Sequence, residues 1–227
     1  DEELELSLGF VITDYYAFQA IVARLDQPSS SEHDSLTLRE RYLKDAVLQQ
    51  PIPFLAIGFG VCLVVITEDD KLILTRRHTN SGVRPGELDV SVVEGTHVNL
   101  DRAVGSRAPD LYRTAIRGAV EELGITLLES DISFLGFGVD IQYYQWVVVG
   151  MARTTQTAAE VAENRARGTS GKWELDRLEF FDLELQAIFE HVRDNRIWSA
   201  GFAAIYWTLV HQCGKAKVDS VAKQVFG

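Results

Sequence analysis

The stretch that decides the fold is Arg117-Gly118-Ala119-Val120-Glu121-Glu122-Leu123-Gly124-Ile125. It predicts the second half of a helix over residues 110–123, with Asp110 as its N-terminal cap and Gly124 as the residue that ends it. Residues three and four apart lie on one edge of a helix, so positions 118, 121 and 122 share an edge. Arg117 precedes Glu121 by one turn, where an ion pair can form.

The two adjacent glutamates of this helix suggest a site for a hard cation. Carboxylate oxygens are the ligands that magnesium prefers, together with waters and substrate phosphates. The alternative is a solvated helix face on which Glu121 pairs with Arg117. For a metal site we expect Glu121 and Glu122 to face an accessible cleft, and we expect three apolar residues to be buried: Ile116, Val120 and Leu123.

The stretch resembles the Nudix box of the Nudix hydrolase superfamily, whose pattern is G-x5-E-x7-R-E-U-x-E-E-x-G-U, with U a bulky aliphatic residue. The direct matches are Arg117, Glu121, Glu122, Gly124 and Ile125, and Ala119 is a small residue in an aliphatic position. Upstream, Gly95 and Asp101 match the first half, with aspartate in place of glutamate. The spacer that follows Asp101 is longer than in the family, which implies an insertion over roughly 103–110.

The resemblance implies an α+β fold, an α/β/α sandwich around a mixed sheet. It also implies hydrolysis of a nucleoside diphosphate-linked metabolite with Mg²⁺ or Mn²⁺ as cofactor. Arg117, Glu121 and Glu122 would form the catalytic set, and the metal ligands would be Glu121, Glu122 and Asp101. For the third carboxylate several candidates stay open: Glu94, Asp101, Glu174 and Glu179.

Gly118 is the departure from the family, which has a metal-binding glutamate at this position. Glycine carries no carboxylate, and it weakens a helix interior by up to about 1 kcal/mol relative to alanine. Two interpretations stay open: a hydrolase that uses another carboxylate, and a catalytically impaired module that senses a ligand for a larger protein. For an impaired hydrolase, we expect Gly118→Glu to restore a metal ligand and to strengthen the helix.

Other side chains are candidates for contacts with the ligand. Arg76 and Arg77 could bind phosphate through the forked guanidinium, or could simply end an exposed strand. Aromatic residues that could stack on a nucleobase, or pack in the core instead, are Tyr143, Tyr144, Trp146 and Trp173. His78 and His97 are candidate acid–base groups, with an ordinary surface position as the alternative.

The remaining pattern predicts two parts, an N-terminal helical extension over 1–50 and a Nudix-like domain over 51–227 that includes C-terminal helices. We expect strands over 58–67, 71–76, 88–93, 132–138, 141–151 and 178–181, and helices over 183–193 and 199–212. The polar segment over 154–170 reads as a mobile loop.

Composition restricts the partners. The net charge of -11 argues against direct binding of nucleic acid but leaves room for a small nucleotide-like ligand. No apolar run approaches the roughly 18 residues of a membrane span. Cys62 and Cys213 lie far apart and read as reduced thiols, so we expect a cytoplasmic protein. The chain begins with aspartate and its only methionine is Met151, so we expect an upstream domain; a homodimer is a further candidate assembly.

Overall fold

The computed structural model describes residues 7–28, 35–46, 50–81, 83–102, 105–106, 108–168 and 175–227. The strands in these residues are β1 (Phe59–Ile66), β2 (Lys71–Arg77), β3 (Leu88–Val90), β4 (Val92–Gly95), β5 (Ile132–Asp140), β6 (Gln145–Arg153) and β7 (Leu175–Asp182). The helices are α1 (Tyr15–Arg24), α2 (Leu38–Tyr42), α3 (Leu111–Gly118), α4 (Ala158–Arg167), α5 (Leu185–Asp194), α6 (Ser199–Cys213) and α7 (Lys215–Phe226). A π-helical turn over Ala119–Leu123 continues α3, and a short 3-10 turn covers Glu129–Asp131.

The strands form one mixed sheet with β1 at its centre. Along β1–β6 the pairing is parallel, and every other pairing is antiparallel. On its other side β1 pairs first with β4 and then with β2, so the sheet divides there. Ser91 lies at this division: its hydroxyl accepts the Val65 N–H at 2.7 Å and donates to the Ile73 carbonyl at 2.5 Å. This hydroxyl bridges the paired residues Val65 and Ile73 at the point where β1 and β2 begin to diverge.

Helices cover both faces of the sheet, as alternate residues of β1 show. Val61, Leu63 and Val65 pack in one core cluster with Ala115, Ala119 and Leu123 of the helix that carries the box. Cys62 and Val64 pack in the other cluster, with Ala204, Ile205 and Leu209 of α6. Successive side chains of a strand point to opposite faces, so a strand that is apolar throughout predicts this double covering. The predicted α+β sandwich is confirmed.

The predicted helix over 110–123 is also confirmed at both ends. The Asp110 carboxylate accepts the backbone N–H of Tyr112 at 2.9 Å, and Gly124 has φ 71°, the left-handed conformation that ends helices. The last turn is wider than an α-turn, because the Gly124 N–H bonds to the Ala119 carbonyl, five residues back, as well as to the Val120 carbonyl. In that turn Ala119 and Leu123 are buried, whereas Val120 is 45% exposed. The prediction that Val120 is buried was therefore wrong. Ile116, which was also predicted to be buried, is half-buried.

The expectation of a mobile loop over 154–170 was wrong, because α4 forms inside it. Thr157 and Glu160 make a capping box: the Glu160 carboxylate accepts the Thr157 N–H at 2.7 Å, and the Thr157 hydroxyl accepts the Glu160 N–H at 3.3 Å. Two other boundaries differ. The strand predicted from residue 141 begins at Gln145, after a turn that Tyr144 closes at φ 50°. The helix α7 was not anticipated.

The N-terminal segment contains α1 and α2, which lie inside the predicted extension. It packs through a small apolar cluster built on Leu25, Leu55 and Tyr144. Arg39 pairs with Asp26 at 2.6 Å and also bonds to backbone oxygens of the β5–β6 turn. The boundary at residue 50 stays a prediction.

In the described part of the chain, none of the helices has the length and apolar character that crossing a bilayer requires. Cys62 is buried and Cys213 half-buried, and neither forms a disulfide.

Candidate functional site

At the N-terminal end of the box, Arg117 contacts most of the other charged residues. Its Nε and Nη2 atoms bond to the two carboxylate oxygens of Asp101 at 2.8 and 2.9 Å. Nη1 lies 2.9 Å from a Glu94 oxygen and 3.6 Å from a Glu121 oxygen. Nη2 also donates to the Gly95 carbonyl at 2.8 Å. One guanidinium therefore joins β4, the loop that follows it and the helix, and these contacts raise the pKa of Arg117 above its ordinary value, with the Asp101 bond as the largest cause.

Asp101 is fully buried and its oxygens are occupied by donors. Besides Arg117, they accept the His97 N–H at 2.6 Å and the Thr114 hydroxyl at 2.9 Å. Burial alone would raise the pKa of this carboxyl; the hydrogen bonds from Arg117, His97 and Thr114 outweigh it and hold the pKa below its ordinary value. The structure thus places Asp101 as an ionised anchor for Arg117, with its carboxylate turned away from solvent.

The insertion after Asp101 does not displace the helix. The Asp110 N–H donates to the Asp101 carbonyl at 2.8 Å, and Arg102 and Pro109 form an isolated antiparallel bridge. The inserted residues therefore leave and return at the same place. As a result Asp101 reaches Thr114 and Arg117 despite the long spacer in the sequence.

Gly118 allows the helix to lie directly against β4. A Cβ atom built on it would be 2.6 Å from Val92 Cγ1 and 2.8 Å from Glu94 Cβ, and real Cβ atoms essentially never come so close. The backbone of Gly118 is ordinary right-handed helix, with φ -58° and ψ -41°. A side chain at this position would force the helix or β4 to shift, so the packing opposes the expectation that Gly118→Glu simply restores a ligand and strengthens the helix, which stays a prediction.

Glu121 and Glu122 differ in their surroundings, although both were expected to face a cleft. The side chain of Glu121 is 37% exposed. Glu122 is 8% exposed, and its carboxylate accepts the Val93 N–H at 3.0 Å, so the expectation of solvent access was wrong for this residue. The missing side chain at position 118 lets the helix lie close to β4, where this contact forms.

The box residues do not fit a magnesium ion as they stand. Among the described residues, no three His, Cys, Asp or Glu side chains are grouped as metal ligands. Arg117 lies between the carboxylates of Glu94 and Glu121, and Asp101 and Glu122 have donors of their own. A cation would therefore have to displace the guanidinium or draw the glutamates away from it.

A groove opens at the other end of the box. It has a volume of about 390 Å³ and is lined mainly by α4, β7 and the residue after β2, namely Ala162, Arg165, Ala166, Leu175, Asp176, Leu178, Phe180 and His78. Arg165 connects it to the box, because its Nη1 donates to the Glu122 carbonyl at 2.6 Å. Sequence reasoning missed Arg165; the capping box just before α4 was the signal that could have placed it on a helix.

The structure separates the predicted ligand contacts from the box. Arg76 bonds to Glu179 at 2.9 Å, and Arg77 donates to the Val83 carbonyl at 3.0 Å. Glu179 alternates with Leu178 and Phe180, which pack on the box side of the sheet, so its carboxylate lies on the opposite side. Tyr144 is 3% exposed and its hydroxyl accepts the Ile52 N–H at 2.9 Å, which anchors the N-terminal segment.

The other candidates have varied positions. Trp146 is buried and stacks on Phe137 with ring centroids 5.3 Å apart, and Tyr143 is half-buried. His97 is exposed beside Asp101, whereas His78 lines the groove. Trp173 and Glu174 lie outside the described residues.

The hairpin β1–β2, the box helix and then the pair β5–β6, with a strand and helices after them, follow the order that the resemblance implies. Arg117 and the carboxylates of both halves of the motif meet in space. The chain has a Nudix-type fold. No protein-family model matches it, and neither does any curated protein sequence.

Solved structures of Nudix proteins are similar to this chain. One is a MutT protein from Methanosarcina mazei, with 18% identity and a TM-score of 0.46 over 70% of this chain and 96% of that one. A Nudix hydrolase from Alicyclobacillus acidocaldarius has 14% identity and a TM-score of 0.46, over 71% and 94%. The Nudix domain of Shewanella oneidensis NrtR, solved with ADP-ribose, has 13% identity and a TM-score of 0.43, over 76% and 97%. All three TM-scores are below 0.5, so these similarities say nothing about what this chain binds.

Proposed function

We propose that this chain is a Nudix-type module that binds a small nucleotide-like ligand and has lost metal-dependent diphosphate hydrolysis. The observation that carries the proposal is the packing of Gly118 against β4. There is no space for a carboxylate where the motif has its central glutamate, because even a Cβ atom would overlap Val92 and Glu94. The loss is therefore built into the backbone arrangement and is not a single missing side chain.

The rest of the box supports the same conclusion. Arg117 contacts the carboxylates of Asp101, Glu94 and Glu121 directly, and the Glu122 carboxylate bonds to β4. Each of these groups stabilises the packing of helix on strand. In this proposal Arg117, Glu121, Glu122 and Asp101 are positioning residues, and none of them activates water.

A hydrolase is the second candidate, favoured by one observation. Glu94 and Glu121 approach the same nitrogen of Arg117, and their side chains are 20% and 37% exposed. Magnesium is often bound by one or two carboxylates together with waters and substrate phosphates, so two carboxylates at one accessible surface could bind it. In this alternative Mg²⁺ or Mn²⁺ would be the cofactor, with Glu121 and Glu122 as ligands.

Two measurements on the wild-type chain separate the candidates. The first is the shift in melting temperature with ADP-ribose, NAD, nucleoside triphosphates and sugar nucleotides, each with and without Mg²⁺. The second is release of phosphate or nucleoside monophosphate from the same compounds. We expect a ligand that raises the melting temperature without turnover. Turnover that collapses in Glu121→Gln and Glu122→Gln, with both variants still folded, would establish the hydrolase instead.

The wider setting follows from the binding role. A module that binds without reaction reports the ligand's presence to something else, and we propose an attached upstream domain or a second copy of this chain as the receiver. We propose that the module acts in the cytoplasm, and the two cysteines without a disulfide support this. Arg76, Arg77 and Tyr144 are held by protein contacts, so ligand contacts by them would require those contacts to change.

A further inference from the structure

We propose that the edge strand β5 and the outer face of α6, formed by Ser199, Ala203 and Trp207, are the surface through which two copies of this chain form a symmetric dimer. This assigns a contact surface to the second copy, one of the two receivers in the proposed function, and it holds whether or not a ligand is bound. The order along the sheet is β3-β2-β1-β6-β5, so β5 lies at its end, and among the described strands it pairs with β6 alone. One row of its backbone N–H and C=O groups therefore faces away from the sheet, where another strand can pair with it.

The first reason is the lack of charge on this surface. Charged residues make up 24% of the chain, which has a net charge of -11. None of them falls within residues 132–139 of β5, and none falls within the fifteen residues of α6. Proteins usually protect an edge strand with charged side chains or proline, and these positions of β5 have neither. Two copies of an acidic chain repel each other, so a contact between them needs an uncharged surface of this kind.

The second reason is a small groove between the pair β5–β6 and α6. Gly136 and Gly138 lie on its floor, and Ala203 and Trp207 border it from the helix. A Cβ atom added to Gly138 would meet nothing within 4 Å, so the floor is open. The groove has a volume of about 150 Å³. Small-molecule sites usually have about 300–1,000 Å³, so a protein side chain fits this groove better than a metabolite does.

The charged end of the groove is already occupied by contacts within the chain. Among the described residues that line it, Asp140 alone is charged, and it is 3% exposed. Its carboxylate accepts the Tyr143 N–H at 2.7 Å and the Ser199 hydroxyl. Because both oxygens have donors, the groove favours an apolar side chain over a cationic one.

The third reason is that the same surface carries a side chain that suits the groove. Trp207 is 40% exposed at its border, so the surface has both a projecting aromatic ring and a depression. A two-fold contact places the same patch on both sides, and a patch with both features can pair with itself. Tryptophan is also among the residues that contribute most to the stability of interfaces.

The regular part of β5 sets the geometry of the dimer. The register of β5 against β6 shifts between Phe134 and Gly136, so the regular part covers 136–140. Antiparallel pairing of this part with its copy extends the sheet across a two-fold axis perpendicular to it. Both α6 helices then lie on the same face of the extended sheet. Trp207 of each copy projects over the Gly136 and Gly138 floor of the other.

The test is the mass of the chain by sedimentation equilibrium over a wide range of concentration, without ligand. We expect wild type to reach twice the chain mass of 25.4 kDa. Gly138→Lys fills the groove and adds a charge to it, and Trp207→Ala removes the projecting ring. Each should raise the dissociation constant of the dimer by at least about tenfold, since loss of a central interface side chain has an effect of that order. Hydrogen exchange of the β5 amides should become slower as the dimer forms.

Each variant has a matched control. Gly9→Lys adds the same side chain in the N-terminal segment, where a Cβ atom also meets nothing within 4 Å. Tyr16→Ala removes an aromatic side chain that is 82% exposed on α1. Both controls should dimerise like wild type. Circular dichroism shows whether each variant is folded, and Trp207→Ala decides the question if Gly138→Lys does not fold.

Three results would overturn the interface. They are a wild-type monomer at every concentration, a dimer that Trp207→Ala weakens no more than Tyr16→Ala does, and exchange of the β5 amides that is independent of concentration. The ligand-induced shift in melting temperature is measured separately, so the two proposals can fail separately. A monomer that shows this shift overturns the interface alone, and a dimer without the shift overturns the proposed function alone.

Discussion

The two ends of the box helix use arginine in opposite ways. At the N-terminal end Arg117 contacts three carboxylates, of which Asp101 is fully buried. At the C-terminal end Arg165 contacts two backbone oxygens and borders an open groove. In the first arrangement one guanidinium joins β4, the loop after it and the helix, and its contacts stabilise the fold, although the three carboxylates together outweigh its charge. The second satisfies two N–H groups of a buried guanidinium with backbone oxygens, and the carboxylates of Glu122 and Asp176 act on its charge from nearby.

Removing the cation from the N-terminal end should have the largest effect on stability. Arg117→Met leaves the Asp101 carboxylate buried without its partner, which typically costs about 3–5 kcal/mol. Arg113→Met is the control, since Arg113 is on the same helix and its side chain is 46% exposed. The measurement is the free energy of unfolding in urea. A loss no larger than that of the control would mean that Arg117 does not hold this end together.

The charge of Asp101 should appear in the pH dependence of stability. Asp101→Asn should cost about 1.5–3 kcal/mol at pH 7, the range for a hydrogen bond to a charged group. The folded-state pKa of Asp101 is below its ordinary value, so its contribution is complete above the unfolded pKa of about 4 and is lost as the pH falls through the folded value. Urea unfolding of both proteins from pH 7 to pH 2 should show the difference shrinking only below about pH 4. A constant difference would show that the carboxylate contributes nothing through its charge.

Gly118→Ala tests whether the helix is in fact closed against β4. Overpacking costs about 1–3 kcal/mol, and helix propensity returns up to about 1 kcal/mol, so we expect a net loss of stability. Gly138→Ala is the control, because a Cβ atom there meets nothing within 4 Å. Thermal unfolding of the two variants is the measurement. If Gly118→Ala is more stable than wild type, position 118 has space for a side chain. A glutamate could then be accommodated there, and the hydrolase would again be a candidate.

The smallest expected effect concerns the helix that carries Arg165. Thr157→Ala removes the hydroxyl that accepts the Glu160 N–H, and loss of such a cap costs about 1 kcal/mol. Thr155→Ala changes an exposed threonine outside the helix and should be neutral. Hydrogen exchange of the amides in α4 should increase in the first variant alone. Equal exchange in both would mean that tertiary packing, and not the cap, fixes α4 beside the groove.

Several elements were readable from local pattern because their causes are local. The strand β1 is apolar at every position, which requires cover on both faces, and α3 has its cap and its terminating glycine in the sequence. The capping box of α4 was just as local, and missing it turned a helix into a loop. Val120 was placed incorrectly because a π-helical turn has no signature in a 3.6-residue pattern.

The sequence by itself determined the sandwich and the identity of the box, since both depend on spacing along one helix and alternation along single strands. It could not determine what each charged residue of the box does. Whether Asp101 binds a metal or holds Arg117 depends on the pinched insertion between them, and the role of Gly118 depends on its distance from Val92. Those contacts join residues that are far apart in the chain, and only the packing of the helix against β4 brings them within bonding distance.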